Sequence, residues 1–237
     1  MSPIYTPGKL VLRKDYIPLD ANYSNVSLLL HGDGPNGSTI FTDNSPSPKT
    51  VTAAGNAQIS TAQSKFGGSS IAFDGSGDRL TIPTSSAFEF GASDFTIELW
   101  LYRVGTGQQH LYEGRDNSVI NRPLLYLNAS TQLAYYANGA VVISTTAVPT
   151  PNDWSHIAIC RGSGSSRLFL NGTQVGSTYS DSISYAAPGS VLIIGANDAY
   201  GTVLNGYIDE LRITKGVARY TSNFAVPSEP FPNGVNG

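Results

Sequence analysis

Carboxylates are the side chains of this 237-residue sequence that could catalyse hydrolysis, so their spacing is the first test of function. Retaining cleavage of a glycosidic bond needs two carboxyl groups about 5 Å apart, one as nucleophile and one as acid/base. The predicted strand Thr96–Trp100 carries one carboxylate, Glu98, and no second acid two or four residues further on. Asp209 and Glu210 are adjacent, so they are expected on opposite faces of a strand. The three histidines lie in unrelated segments. The sequence therefore predicts a non-enzymatic protein in which Glu98 bonds a neighbouring loop or arginine.

Tyrosines form the second group with chemical potential, because the sequence holds 13 of them. Sugar binding combines aromatic rings, which stack on apolar sugar faces, with amides or carboxylates that bond hydroxyls. The candidates for such a site are Tyr112, Tyr126, Tyr135, Tyr136 and Asn138, and Arg115, Asp116 and Asn117 could line its rim. Two alternatives stay open at this stage, because tyrosine is common in strands and also suits protein interfaces.

Composition narrows the classes of protein. A net charge of −3 without any basic block argues against a nucleic-acid partner. The single cysteine, Cys160, alternates with isoleucines and is expected to be a buried, inert thiol. No apolar run reaches the roughly 20 residues that span a bilayer, and the N-terminus lacks an apolar signal core. We therefore expect no membrane insertion and no signal peptide.

Short alternating segments with glycine-bearing turns fill the sequence from Asn25 onward. In Phe95–Arg103, apolar residues alternate with Thr96, Glu98 and Trp100, which is the period of a strand. A further strand is expected at Thr39–Thr42, and the Asn171–Gly172 pair predicts a type I′ hairpin turn. Trp100 and Trp154 are expected in the core. The pattern predicts an all-β antiparallel sandwich or barrel.

Five segments in order resemble the laminin-G-like branch of the concanavalin A-like lectin/glucanase jelly rolls, namely FGGSSIAFDGSGDRLTIP, DFTIELWLYR, DWSHIAICR, RLFLNGTQVG and GYIDELRITKGVARYTSNF. The resemblance runs from about Val26 to Phe231. It implies a two-sheet antiparallel jelly roll whose concave sheet contains the tyrosine-bearing middle strands. The ending LRITKGVARYTSNFAVPSEPF also resembles the way such domains end in bacteriophage virion proteins.

The same resemblance implies a structural Ca²⁺ where the first and last strands meet, with Asp209 at the matching position. Asp33 and Asp43 lie in early loops that this fold could bring near Asp209. Calcium prefers six to eight hard oxygen ligands, which such aspartates provide. The alternative for Asp33 and Asp43 is ordinary turn capping.

The ends of the chain carry the remaining functional hypothesis. Residues 1–24, broken by prolines, are interpreted as a docking arm, with an unanchored terminus as the open alternative, and residues 25–237 as the jelly-roll domain. We expect an accessory structural protein on the surface of a phage particle, of the capsid decoration or cement type, bound to other virion proteins through this arm. Self-association as a trimer is expected for such a protein. The alternative is an adhesin or tail-fibre head that binds a host-surface glycan.

Overall fold

The computed structural model describes residues 20–115, 121–197 and 201–234. Most of the expected arm, residues 1–19, lies outside this range, as do the expected rim residues Asp116 and Asn117. The described residues form strands, numbered β1–β17 in chain order, and two short 3-10 helices, Tyr23–Asn25 and Ser86–Phe88. No helix in these ranges is long and apolar enough to cross a membrane.

The larger sheet has eight strands and contains both the first and the last strand. Its order is β13 (Thr173–Ser180), β12 (Ser165–Leu170), β11 (Trp154–Gly162), β6 (Phe95–Arg103), β17 (Asn205–Lys215), β4 (Ser70–Asp74) and β3 (Gln58–Ser60), with β1 (Val26–Leu30) also paired to β17. All of its pairings are antiparallel.

The smaller sheet has seven strands, also antiparallel. Its order is β10 (Ala140–Ser144), β9 (Leu133–Ala137), β8 (Leu124–Leu127), β7 (Gln109–Glu113), β14 (Val191–Ile194), β5 (Arg79–Pro83) and β2 (Thr52–Ala54). A separate pair, β15 (Ala196–Asn197) and β16 (Thr202–Val203), follows β14. The predicted all-β, two-sheet antiparallel sandwich is confirmed.

The core lies between the two sheets because one face of each strand is apolar. In β6, Ile97, Leu99 and Leu101 are fully buried in the main core cluster. The predicted Asn171–Gly172 turn is confirmed, since both residues have positive φ, as a type I′ turn requires. The expected strand at Thr39–Thr42 is wrong: this segment has no strand pairing.

The outer face of the eight-stranded sheet is covered by the chain's own C-terminal segment. Tyr220 and Phe224 stack with ring centroids 3.5 Å apart and pack on Ala158, Cys160 and Phe169. Cys160 is buried there, as expected, and burial raises the pKa of its thiol to about 12.

Trp100 is buried as expected, but not in the main core between the sheets, and the expected burial of Trp154 is wrong. Trp100 pairs across the sheet with His156, and Trp154 pairs with Tyr102, so both belong to the outer face of the eight-stranded sheet. Trp100 is buried there beneath Phe66 and Lys65, whose ammonium lies 4.0 Å from its ring centroid. Trp154 is partly exposed. The physical reason is strand alternation, which gives the core face of β6 to Ile97, Leu99 and Leu101.

Candidate functional site

The outer face of the seven-stranded sheet carries a group of polar and aromatic side chains that we call the outer tyrosine cluster. Its members are His110, Glu113, Arg115, Tyr126 and Tyr136. Arg115 donates two hydrogen bonds to Glu113, from Nε to Oε1 at 2.8 Å and from Nη2 to Oε2 at 2.9 Å. This fork is the strong, bidentate form of an arginine–carboxylate pair. It fixes both side chains in one geometry.

The electrostatics of Glu113 follow from this pairing. His110 Nδ1 lies 3.3 Å from Glu113 Oε2, and Asn197 Nδ2 donates to the same oxygen at 2.9 Å. Burial alone would raise the pKa of Glu113, but the hydrogen bonds from Arg115 and His110 outweigh burial and lower it. Glu113 is therefore ionised at neutral pH and accepts hydrogen bonds without donating any.

The tyrosine rings of the cluster lie beside these polar groups. The Arg115 guanidinium lies 4.5 Å from the ring centroid of Tyr136, a cation–π distance. The ring centroids of His110 and Tyr126 are 5.6 Å apart. Tyr136 is half-buried, whereas Tyr126 is only 8% exposed. Asn138 is exposed in the turn that follows Tyr136. The accessible edge of the cluster therefore consists of a ring, a guanidinium and a nearby amide.

The prediction that Tyr112 and Tyr135 bind sugar is wrong, because both side chains face the core. They are 1% and 0% exposed and belong to the main core cluster. Neighbouring residues of a strand point to opposite faces, so Tyr135 and Tyr136 cannot serve one surface. Tyr135 instead donates its hydroxyl to Tyr185 at 3.0 Å, and Tyr185 donates to Asp181.

The outer face of the opposite sheet holds a second polar group, the Glu98 cluster, made of Glu98, His156, Arg212, Arg219 and Tyr220. Arg212 donates to Glu98 Oε1 from Nε at 2.9 Å and from Nη2 at 2.8 Å, and the Tyr220 hydroxyl donates to Oε2 at 2.8 Å. The prediction that Glu98 pairs with an arginine is confirmed. Burial raises the pKa of Glu98, but Arg212 and His156 outweigh burial and hold it at about 2.

The three aspartates expected to bind calcium do not form one ligand set. Asp43 caps its own loop, where its carboxylate accepts backbone N–H groups of Leu29, Ser45 and Lys49. This matches the turn-capping alternative. No group of three His, Cys, Asp or Glu residues that could hold a metal occurs in the described ranges. The expected Asp33, Asp43 and Asp209 set is therefore wrong.

Asp209 is held in a different way. A β-bulge interrupts the pairing of β17 with β6 between Asp209 and Arg212, and Glu210 has a φ of 52°. Asp209 Oδ2 accepts the backbone N–H of Lys65 and Phe66, and Glu210 Oε2 accepts that of Phe231. The bulge thus directs both carboxylates to segments that cover the same outer face, contrary to the expectation of opposite faces.

Two antiparallel sheets packed face to face, with a polar and aromatic cluster on each outer face, form a lectin-like jelly roll. Residues 74–219 match the model of the concanavalin A-like lectin/glucanases superfamily, and the chain belongs to this family. No curated protein matches the sequence.

Solved structures share the fold at low sequence identity. Domain 4 of AbnA, an extracellular arabinanase from Geobacillus stearothermophilus in complex with arabinotriose, has a TM-score of 0.61 and 17% identity, over 82% of this chain and 94% of that domain. The binding domain of Paraclostridial Mosquitocidal Protein 1 has a TM-score of 0.63 and 17% identity, over 87% of this chain and 50% of that one. The botulinum neurotoxin serotype D binding domain has a TM-score of 0.61 and 13% identity, over 84% and 50%. This chain spans about half the length of the toxin binding domains.

Proposed function

We propose that this protein is a non-enzymatic carbohydrate-binding module whose glycan site is the outer tyrosine cluster. The observation that carries the proposal is the half-buried Tyr136 ring, fixed by Arg115 beside the ionised Glu113 and close to Asn138. A ring supplies the stacking surface for a sugar, and the fixed carboxylate, guanidinium and amide supply hydrogen bonds for hydroxyls. The AbnA domain bound to arabinotriose has the same fold, which supports the compatibility of this fold with an oligosaccharide ligand.

The carboxylates support binding over catalysis. A retaining glycosidase needs a carboxylate pair in which one partner keeps a raised pKa and acts as the acid. Glu98 and Glu113 are each held by arginine, with lowered pKa values. Asp209 has a pKa raised to about 7, mainly by burial, but its side chain is fully buried under Lys65 and Phe66 and cannot touch a substrate.

The test is binding to immobilised polysaccharides with Tyr136→Ala. We expect the parent to bind at least one polysaccharide and Tyr136→Ala to weaken that binding about fivefold, since stacking on an aromatic ring is worth on the order of 1 kcal/mol. The matched control is Tyr207→Ala, which removes a partly exposed tyrosine from the opposite sheet. Equal binding by parent and Tyr136→Ala would exclude this site, and no binding by the parent would exclude the function.

We also propose that the module is displayed on a bacteriophage particle as a capsid decoration or cement protein, with virion proteins as partners and a trimer as its assembly. The virion-like C-terminal ending supports this role. A second support is that Asp20, in the described part of the proposed arm, donates its backbone N–H to Gly234 and pairs with Arg219, so this part of the arm lies on the side opposite the outer tyrosine cluster. An attachment side opposite a free binding side suits a protein that displays a ligand site.

Imaging of purified particles with a labelled antibody tests the virion role. Label spread over the capsid surface is the expected result. Label confined to fibre tips would instead favour the adhesin or tail-fibre alternative, in which the same cluster binds a host-surface glycan.

A further inference from the structure

A pocket of about 270 Å³ opens where β1 ends, away from the outer tyrosine cluster. Its floor is apolar and is made of Leu30, Phe41, Ile59 and Ile71, which are all part of the main core cluster. Its rim is polar and is made of His31, Gly32, Asp33, Thr42, Asn44 and Asn233. The pocket thus brings together two early loops and the C-terminal segment.

The polar side chains of this rim are not engaged with one another. Within the described ranges, the side chains of Asp33, Thr42, Asn44 and Asn233 form no hydrogen bond. Asn44 is anchored through its backbone, whose N–H donates to Leu29 and whose carbonyl accepts the Tyr23 hydroxyl. The loop is therefore fixed while its amide remains available to a ligand.

We propose that this pocket binds a single neutral hexopyranose unit, as a second carbohydrate site. Its volume lies just below the range of roughly 300–1,000 Å³ that holds drug-sized ligands, which suits one sugar ring. A hexopyranose has an apolar face for the Phe41 side of the floor and hydroxyls for the carboxylate and two amides of the rim. The inference is independent of the outer tyrosine cluster, because no residue is shared between the two sites.

The charge around the pocket selects against anionic sugars. Asp33 stands at the rim, and Glu210 pairs with His31 Nδ1 at 2.8 Å behind it. Asp209 is close enough to interact electrostatically with both Asp33 and Glu210. Asp33 and Glu210 thus place two carboxylates beside one imidazole, and a uronic acid would add a like charge to this group.

The experiment is a titration of the full ¹⁵N-labelled chain with the methyl glycosides of glucose, galactose and mannose, followed by NMR of the side-chain amides. We expect at least one glycoside to shift the Asn44 and Asn233 signals and to leave unchanged the signal of Asn152, an exposed amide that belongs to neither proposed site. Methyl glucuronide is expected to shift none of them. Failure of all three neutral glycosides to shift Asn44 and Asn233 would overturn the proposal, as would shifts produced by calcium chloride alone.

Variants then assign the contacts. Asp33→Ala should weaken glycoside binding at least tenfold, because a hydrogen bond to a charged group is lost. Asp33 is exposed and without a hydrogen-bond partner among the described residues, so its replacement should leave the melting temperature unchanged. Asn233→Ala, also at an exposed residue, repeats the test from the other side of the rim. Asn25→Ala, at an exposed residue outside both proposed sites, is the matched control, and undiminished binding by both rim variants would refute the site.

Discussion

The two outer faces of this sandwich carry clusters of similar composition that are covered to different degrees. In each cluster an arginine donates two hydrogen bonds to a glutamate, and a histidine nitrogen lies 3.3 Å from an oxygen of the same carboxylate. Each also has a tyrosine. In the Glu98 cluster the tyrosine, Tyr220, belongs to the C-terminal segment and seals the site. In the outer tyrosine cluster Tyr136 belongs to the sheet itself and keeps part of its ring exposed.

The origin of the arginine explains the difference. Arg115 follows Glu113 by two residues, so the pair forms within one turn of chain. Arg212 comes from β17 and also contacts Asp20, and Phe231 lies 3.8 Å from its guanidinium. The Glu98 cluster therefore links segments that are distant in sequence, as expected for side chains that stabilise the fold. The outer tyrosine cluster holds its own shape locally, which leaves its face available for a ligand.

The largest expected effect comes from replacing the two glutamates in turn. Glu98→Gln should lower the free energy of unfolding by about 3 kcal/mol, because the buried Arg212 loses the fully buried one of its two counter-charges and keeps only Asp20. Glu113→Gln should cost about 1 kcal/mol, since Arg115 is partly exposed and can turn to water. Urea denaturation measures both. Equal losses of unfolding free energy would show that both clusters stabilise the fold to the same degree, and would contradict the proposed difference between them.

Strand alternation made much of this fold predictable. The sequence placed β6 at Phe95–Arg103, the bounds that the structure has, and it predicted an arginine partner for Glu98. It could not separate the core tyrosines from the surface ones. For Tyr112 the reason is that β7 pairs with β8 through an irregular register between His110 and Tyr112, which no local pattern reveals. Tyr135 and Tyr136 are adjacent in one strand, so alternation does put them on opposite faces, but it does not say which of the two faces the core.

The position of the C-terminal segment on the outer face of the eight-stranded sheet could not be predicted from local sequence patterns either. Phe224 and Phe231 lie in irregular chain with no period, so their types say only that they are buried, not which face they cover. The short strands at Thr52–Ala54 and Gln58–Ser60 were missed because each has only three residues, which is too short for an alternating pattern, and the two together hold one apolar β-branched residue, Ile59. His110 and Asn197 were missed as site residues, although the Glu113-x-Arg115 spacing beside two tyrosines was a usable signal.

Acid should affect the Glu98 cluster next most strongly. The folded pKa of Glu98 is about 2, below its ordinary value of 4.5, so its ion pairs stabilise the fold above pH 4.5. This contribution is lost as the pH falls from 4.5 through about 2, and it amounts to at most about 3 kcal/mol. Unfolding free energies measured from pH 6 to pH 2 should fall steeply in the parent and less steeply in Glu98→Gln. Parallel pH profiles for the two proteins would contradict the assignment, and Glu113→Gln serves as the control that keeps most of the slope.

The smallest expected effect on the unfolding free energy comes from removing the hydroxyl of Tyr220, which is buried against Glu98, or that of Tyr136, which lies at the accessible surface. Tyr220→Phe removes the 2.8 Å hydrogen bond to Glu98 and should cost about 1.5 kcal/mol, since a buried charged acceptor loses one donor. Tyr136→Phe keeps the ring under the Arg115 guanidinium and should change the unfolding free energy by less than about 0.5 kcal/mol. Thermal melts at pH 7 measure the two losses side by side. A loss for Tyr136→Phe as large as that for Tyr220→Phe would mean that Tyr136 is part of the scaffold, and the accessible ring would then have to be sought elsewhere on the seven-stranded sheet.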